Sequence, residues 1–138
     1  MKSIGVMGNS GGGTISVFAL ARLPRIAFAM PSCYYCTFRD SIMSIRHCMD
    51  NYIPGLLKVA EMSDIMGLFA PKPVVIVAGK EDEIFPIKAT RQAFRELQDI
   101  YDSCGAEEHC HLVVGDGGHR FYADDAWPIM LEEIKRLQ

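Results

Sequence analysis

The stretch Gly8, Asn9, Ser10, Gly11, Gly12 constrains this chain more than any other. It lies between an apolar run, Ile4, Gly5, Val6, Met7, and a helix-forming run from Thr14 to Arg22. A Gly-x-Ser-x-Gly turn between strand and helix holds its serine in a strained backbone conformation. Side chains beside that serine would collide with the strand or the helix, hence glycine on both sides. The turn therefore requires a strand behind it and a helix ahead of it.

The rest of the chain supplies both kinds of element in alternation. Residues 3–7 suit a strand buried on both faces, and the helix expected over 12–22 is apolar nearly all round (Ile15, Val17, Phe18, Leu20), which suits a central position. A second short strand over 25–30 is stopped by Pro31. The least regular part, 31–72, is expected to hold short helices near 39–48, 52–60 and 63–69, interrupted by Pro54 and Gly55. The β-branched run over 73–78, closed by Gly79, is a buried strand. After Pro86, an amphipathic helix carries Phe94, Leu97, Ile100 or Tyr101, and Cys104 on its apolar face, with Gly105 as its stop. A fourth strand covers 110–114. The last helix, 124–137, buries Trp127, Met130 or Leu131, Ile134 and Leu137, and its terminal charges match the helix dipole.

Strands alternating with helices give the α/β class: a mostly parallel sheet of about four strands with helices on both faces. In such sheets chemistry gathers at the carboxyl ends of the strands. Ser10 follows the first strand, Asp82 the third and His119 the fourth. A serine hydroxyl needs a base to take its proton and a third group to fix that base's tautomer. His119 and Asp82 fit those tasks. Taken singly, each has an ordinary reading as a turn serine, a loop acid and a solvated histidine. Glu81 rivals Asp82, since either carboxylate can orient a histidine. The backbone N–H of Gly11, just after the nucleophile, is one oxyanion donor.

The chain's 138 residues make one domain over 1–138, and no repeat or linker divides it. A net charge of -3 without a basic stripe argues against nucleic acid. No apolar run approaches the roughly 20 residues of a membrane span, and no signal-peptide pattern opens the chain, so a cytoplasmic protein is expected. Five cysteines are an odd count, which fits reduced thiols rather than a disulfide framework. Cys33 and Cys36 have the spacing of a redox dithiol or half a zinc site, but no second Cys-x-x-Cys follows, and Cys48, His109 and His111 lack customary ligand spacing. They read as buried structural thiols. His47 reads as a capping or core residue, and Met43, Met49, Met62 and Met66 as flexible core filler.

Several segments resemble the α/β-hydrolases grouped with acetyl xylan esterases and dienelactone hydrolases. They are the Gly8–Gly12 elbow; Pro31, Ser32, Cys33, Tyr34; Phe38, Arg39, Asp40, Ser41; Asn51 to Gly55; Ala70 to Pro73; Gly79 to Pro86; and Gly117 to Phe121. The resemblance implies Ser10 as nucleophile, Asp82 rather than Glu81 as the acid, and His119 as the base. It implies hydrolysis of a carboxylic ester through an acyl-enzyme. The expected substrate is a small ester of the acetyl type, such as an acetylated carbohydrate, and no metal or organic cofactor is required. Members of the family have an eight-stranded sheet, and this chain is similar to the second half, from the nucleophile elbow onward. The first four strands and the loop carrying the other oxyanion N–H are then absent. Residues 3–7 would form an apolar edge, a template for pairing with another chain, and a homo-oligomer through that edge is expected. The alternative expectation is a catalytically incomplete half-domain that works only by association with another chain.

Overall fold

The computed structural model describes residues 3–137. Its elements follow one another as β1 (Ile4–Asn9), α1 (Gly11–Arg22), β2 (Ile26–Ser32), α2 (Met62–Gly67), β3 (Val74–Gly79), α3 (Ile87–Ser103), β4 (Cys110–Gly115) and α4 (Ala123–Arg136). The four strands form one parallel sheet in the order β1-β2-β3-β4. Every residue of β3 is buried, as its β-branched run requires, because helices cover both faces. On one face, Val17 and Leu20 of α1, Met62, Ile65 and Met66 of α2, and Ala93 and Leu97 of α3 pack against Ala29, Val74 and Ile76. On the other face α4 covers the sheet, with Ala126 and Met130 against Met30, Val75, Val77 and Val113.

The structure corrects several expectations. β1 is not buried on both faces: it is the edge of the sheet, and Ile4 and Met7 remain about half exposed, at 48% and 45%. Helix α1 is one-sided rather than central. It packs on β1, β2 and α2, and turns Ile15 to solvent.

Pro31 does not stop β2. The N–H groups of Ala29 and Cys33 donate to the carbonyls of Pro73 and Val77, on the β3 side. Pro31 lies between them in the same alternation and has no N–H to give. The strand continues to Ser32, and its register with β3 holds only on either side of the proline, at Ala29 and Ser32.

The helix expected over 39–48 is a series of turns. Ser41 and Ser44 direct their hydroxyls to the carbonyls of Thr37 and Asp40, which competes with helix formation. Of 52–60 only the 3-10 turn Leu56–Lys58 is helical. On α3, Tyr101 rather than Ile100 is fully buried, and Cys104 is exposed. On α4, Met130 is buried while Leu131 and Leu137 face outward. Met62 and Met66 are core residues, whereas Met43 and Met49 are exposed.

Candidate active site

Ser10 sits between β1 and α1 with φ 56 and ψ -118, a conformation that non-glycine residues rarely adopt. The turn is so tight that a Cβ on Gly8 would lie 2.2 Å from the carbonyl oxygen of Gly12, and one on Gly13 would meet Tyr34 and the Ser32 carbonyl. Gly12 itself has open space where its Cβ would be. The steric demand therefore falls on Gly8 and Gly13, not symmetrically on the two glycines of the motif. Gly11 is the first residue of α1, where a helix leaves its N–H groups unpaired and its dipole favours negative charge. No acidic side chain occupies that first turn.

Asp82 and His119 meet because the loops after β3 and β4 are tied together. Lys80 N–H donates to the Gly115 carbonyl at 3.0 Å, and Glu81 N–H donates to the Gly117 carbonyl at 2.7 Å. Gly79 allows the Gly118 backbone to cross directly over it, since a Cβ there would lie 2.2 Å from the Gly118 oxygen. The Tyr122 hydroxyl holds the same Gly118 carbonyl at 2.8 Å. His119 Nδ1 and Asp82 Oδ2 are 2.8 Å apart. The other carboxylate oxygen, Oδ1, accepts the N–H groups of Ile84 and Phe85 at 2.9 and 3.1 Å, so the buried carboxylate cannot rotate freely. Glu81 instead takes part through its backbone.

The sheet brings Ser10 toward this pair. Strands lie about 4.8 Å apart, so the loop after β4 must reach back across β3 and β2. It reaches the end of β2, where the Cys33 thiol donates to the Arg120 carbonyl at 3.2 Å, while Ser10 N–H donates to the neighbouring Ser32 carbonyl at 2.9 Å. The Ser10 turn and the His119 loop are thus pinned to consecutive residues at the end of β2. Among the described residues Ser10 Oγ makes no hydrogen bond, and His119 Nε2 is buried without a partner. Such contacts often tighten only when substrate binds. Phe85 stacks on the His119 ring at 5.9 Å and also packs against Tyr34 and His47. Tyr34 Oη and His47 Nε2 are buried without partners as well, so unsatisfied polar atoms cluster around Phe85. An apolar cleft of about 360 Å³ along the 38–58 segment, lined by Phe38, Ile42, Met43, Tyr52 and Leu57 among others, includes none of Ser10, Asp82 or His119.

Sequence reasoning missed the place of Cys33. Its residue has φ 46, is 1% exposed, and brings Sγ within 4.8 Å of ligand atoms of both Asp82 and His119. The one signal available was its position just past the carboxyl end of β2. Burial raises the Cys33 thiol pKa, with the Asp82 charge adding to the effect, and burial pushes Cys36 up to about 11. Both stay protonated thiols and bond separate carbonyls, those of Arg120 and Pro86, which opposes dithiol redox work. A second missed cluster joins Glu133, 1% exposed, to His109 at 2.6 Å, His111 at 3.0 Å and Arg136 at 2.9 Å. It ties α4 to β4, away from Ser10. No helix among the described residues is long and apolar enough to cross a membrane.

This architecture is shared with solved structures. A glucuronoyl esterase from Solibacter usitatus superposes with a TM-score of 0.74 at 14% identity, over 95% of this chain and 41% of its own. A family 15 carbohydrate esterase, a glucuronoyl esterase from Caldicellulosiruptor kristjansonii, gives 0.68 at 18% identity, over 95% and 40%. The chain carries part of an α/β-hydrolase fold. TT1662 from Thermus thermophilus, with a TM-score of 0.64 at 18% identity, shares this architecture over 94% of this chain and 52% of its own. In sequence, the Bacillus subtilis (strain 168) protein named "Putative hydrolase YtaP" is 29% identical over 119 residues, which are 84% of this chain and 40% of YtaP. The chain thus spans about two fifths of the length of these relatives. No family model matches it.

Proposed function

We propose that this chain, which corresponds to the carboxyl-terminal half of an α/β-hydrolase, is a serine-dependent carboxylic-ester hydrolase with Ser10, His119 and Asp82 as its triad. The observation that carries this reading is the convergence at one sheet edge. A strained serine and a histidine-aspartate pair are pinned to consecutive residues, Ser32 and Cys33. Ser10 Oγ attacks the acyl carbonyl while His119 Nε2 takes its proton, and Asp82 holds Nδ1–H and stabilises the imidazolium. The Gly11 N–H accommodates the oxyanion. His119 then protonates the departing alcohol, and water, activated by the same imidazole, releases the acid.

The substrate is a small acyl ester of a carbohydrate, of the acetyl type. Structures named as glucuronoyl esterases and as a methylesterase share the fold, which favours an ester substrate. Gly11 supplies one oxyanion donor from this chain; a second donor, where one is present, is worth about 10²- to 10³-fold in turnover.

The test is intact-mass spectrometry after exposure to a fluorophosphonate. A single adduct on the wild type and none on Ser10→Ala supports the reading, and no adduct on folded wild type overturns it for this chain alone. A second reading, a half-domain active only when paired with another chain, is favoured by the unpaired, half-exposed apolar edge of β1.

A further inference from the structure

The triad leaves one buried nucleophilic group at its own centre unused. Cys33 lies at the end of β2, its N–H donating to the Val77 carbonyl at 2.8 Å and its φ of 46 turning the residue into a region that side chains rarely occupy. Strain of this kind persists only where the surroundings enforce it. The result is a sulfur, a carboxylate oxygen and an imidazole nitrogen all within 4.8 Å of one another. Those are three of the atom types that zinc binds, at distances of about 2.0–2.3 Å, which places tetrahedral ligands roughly 3.5 Å apart. With the Asp82 carboxylate held by the N–H groups of Ile84 and Phe85, the remaining gap is closed by shifts of the Cys33 and His119 side chains.

We propose that Cys33, Asp82 and His119 form a three-ligand site for a thiophilic divalent cation of the zinc class, and that its occupancy withdraws His119 from proton transfer. Charge balance favours it. One thiolate, one carboxylate and a neutral imidazole cancel the two positive charges, so the filled site carries no net charge into a mostly buried setting. On binding, the sulfur-hydrogen bond to the Arg120 carbonyl is given up and the thiol proton leaves to solvent. The imidazole binds through one nitrogen and keeps its proton on the other, so one proton is released per cation. Binding itself does not depend on the hydrolase reading; only the loss of turnover does.

The experiment uses the full chain with the two exposed cysteines removed (Cys48→Ser, Cys104→Ser), titrated anaerobically with Co²⁺ and then Zn²⁺. One equivalent of Co²⁺ should give a thiolate charge-transfer band that Zn²⁺ abolishes. Adding Cys33→Ser should remove the band, and adding His119→Ala should weaken Co²⁺ binding at least tenfold. Zinc-edge X-ray absorption of the parent, which needs no core substitution, should show one sulfur at about 2.3 Å with nitrogen or oxygen ligands. No band, more than one sulfur, or binding unchanged by His119→Ala would overturn the site. Zn²⁺ should also slow fluorophosphonate labelling of Ser10, reversibly on chelation. Labelling absent even from the metal-free chain would sink the hydrolase reading and leave the cation site to stand or fall on the cobalt band.

Discussion

Asp82→Asn tests the site through one proton. In the wild type, Oδ1 of Asp82 is held by the N–H groups of Ile84 and Phe85, and Oδ2 faces His119 Nδ1 at 2.8 Å. An asparagine keeps the same shape, but its one carbonyl oxygen is claimed by the two backbone donors. Its NH₂ must then face Nδ1. Two donors cannot share that contact, so the imidazole moves its proton to Nε2, the nitrogen that has to accept the proton of Ser10. The fold is retained because the turn's hydrogen bonds survive. The same exchange in a serine-histidine-aspartate triad costs about 10⁴-fold in turnover, or about 5.4 kcal/mol of barrier at 1.36 kcal/mol per decade. The assay is the rate of fluorophosphonate labelling of Ser10, read beside nitrogen NMR of the His119 tautomer and a melting curve. Labelling at the wild-type rate, in a folded variant whose tautomer has switched, would refute the assigned roles. Asp82→Ala is the harsher control, since it also frees Ile84 and Phe85 N–H and should lower the melting temperature as well.

Three further outcomes follow from named contacts. Ser10→Gly should abolish labelling yet raise stability by about 1 kcal/mol in denaturant titration, since glycine relieves a backbone strain of roughly 1–3 kcal/mol and forfeits part of that gain in chain entropy; equal or lower stability would mean that the turn is not strained. For Glu133, burial opposes ionisation, but hydrogen bonds from His111 and His109, with their charge, outweigh it and hold the carboxyl below its ordinary range. A depressed folded-state pKa contributes stability above the unfolded value, and that contribution is lost as pH falls through the folded value. Glu133→Gln should therefore cost about 2 kcal/mol near neutrality, with the two stability curves converging below roughly pH 4; parallel curves across that range would count against it. Self-association through β1 should appear as dimers that dissociate on dilution, and Ile4→Lys, which puts a charge on the edge, should give monomers. A wild type that stays monomeric at high concentration would contradict that expectation.

What the sequence determined by itself was local. The elbow required strand, strained serine and helix in that order, and β1, Ser10 and α1 supply them. The β-branched run at 74–77 is a buried strand, and the alternation of elements produced a parallel sheet with Ser10, Asp82 and His119 after its strands. These features rest on near neighbours, on backbone sterics and on periodicity, so they can be read from a string of letters. The tertiary structure decided what depends on distant partners. Cys33 is held by a carbonyl 87 positions away, and the Glu133 cluster joins side chains 22 and 24 positions apart. Pro31 passes through β2 because only the ladder to β3 loses a donor, and β1 is exposed because nothing among the described residues pairs with its outer side. Which thiol lies beside the His119–Asp82 pair, and which strand is an edge, are set by chain crossings, and no local propensity encodes them.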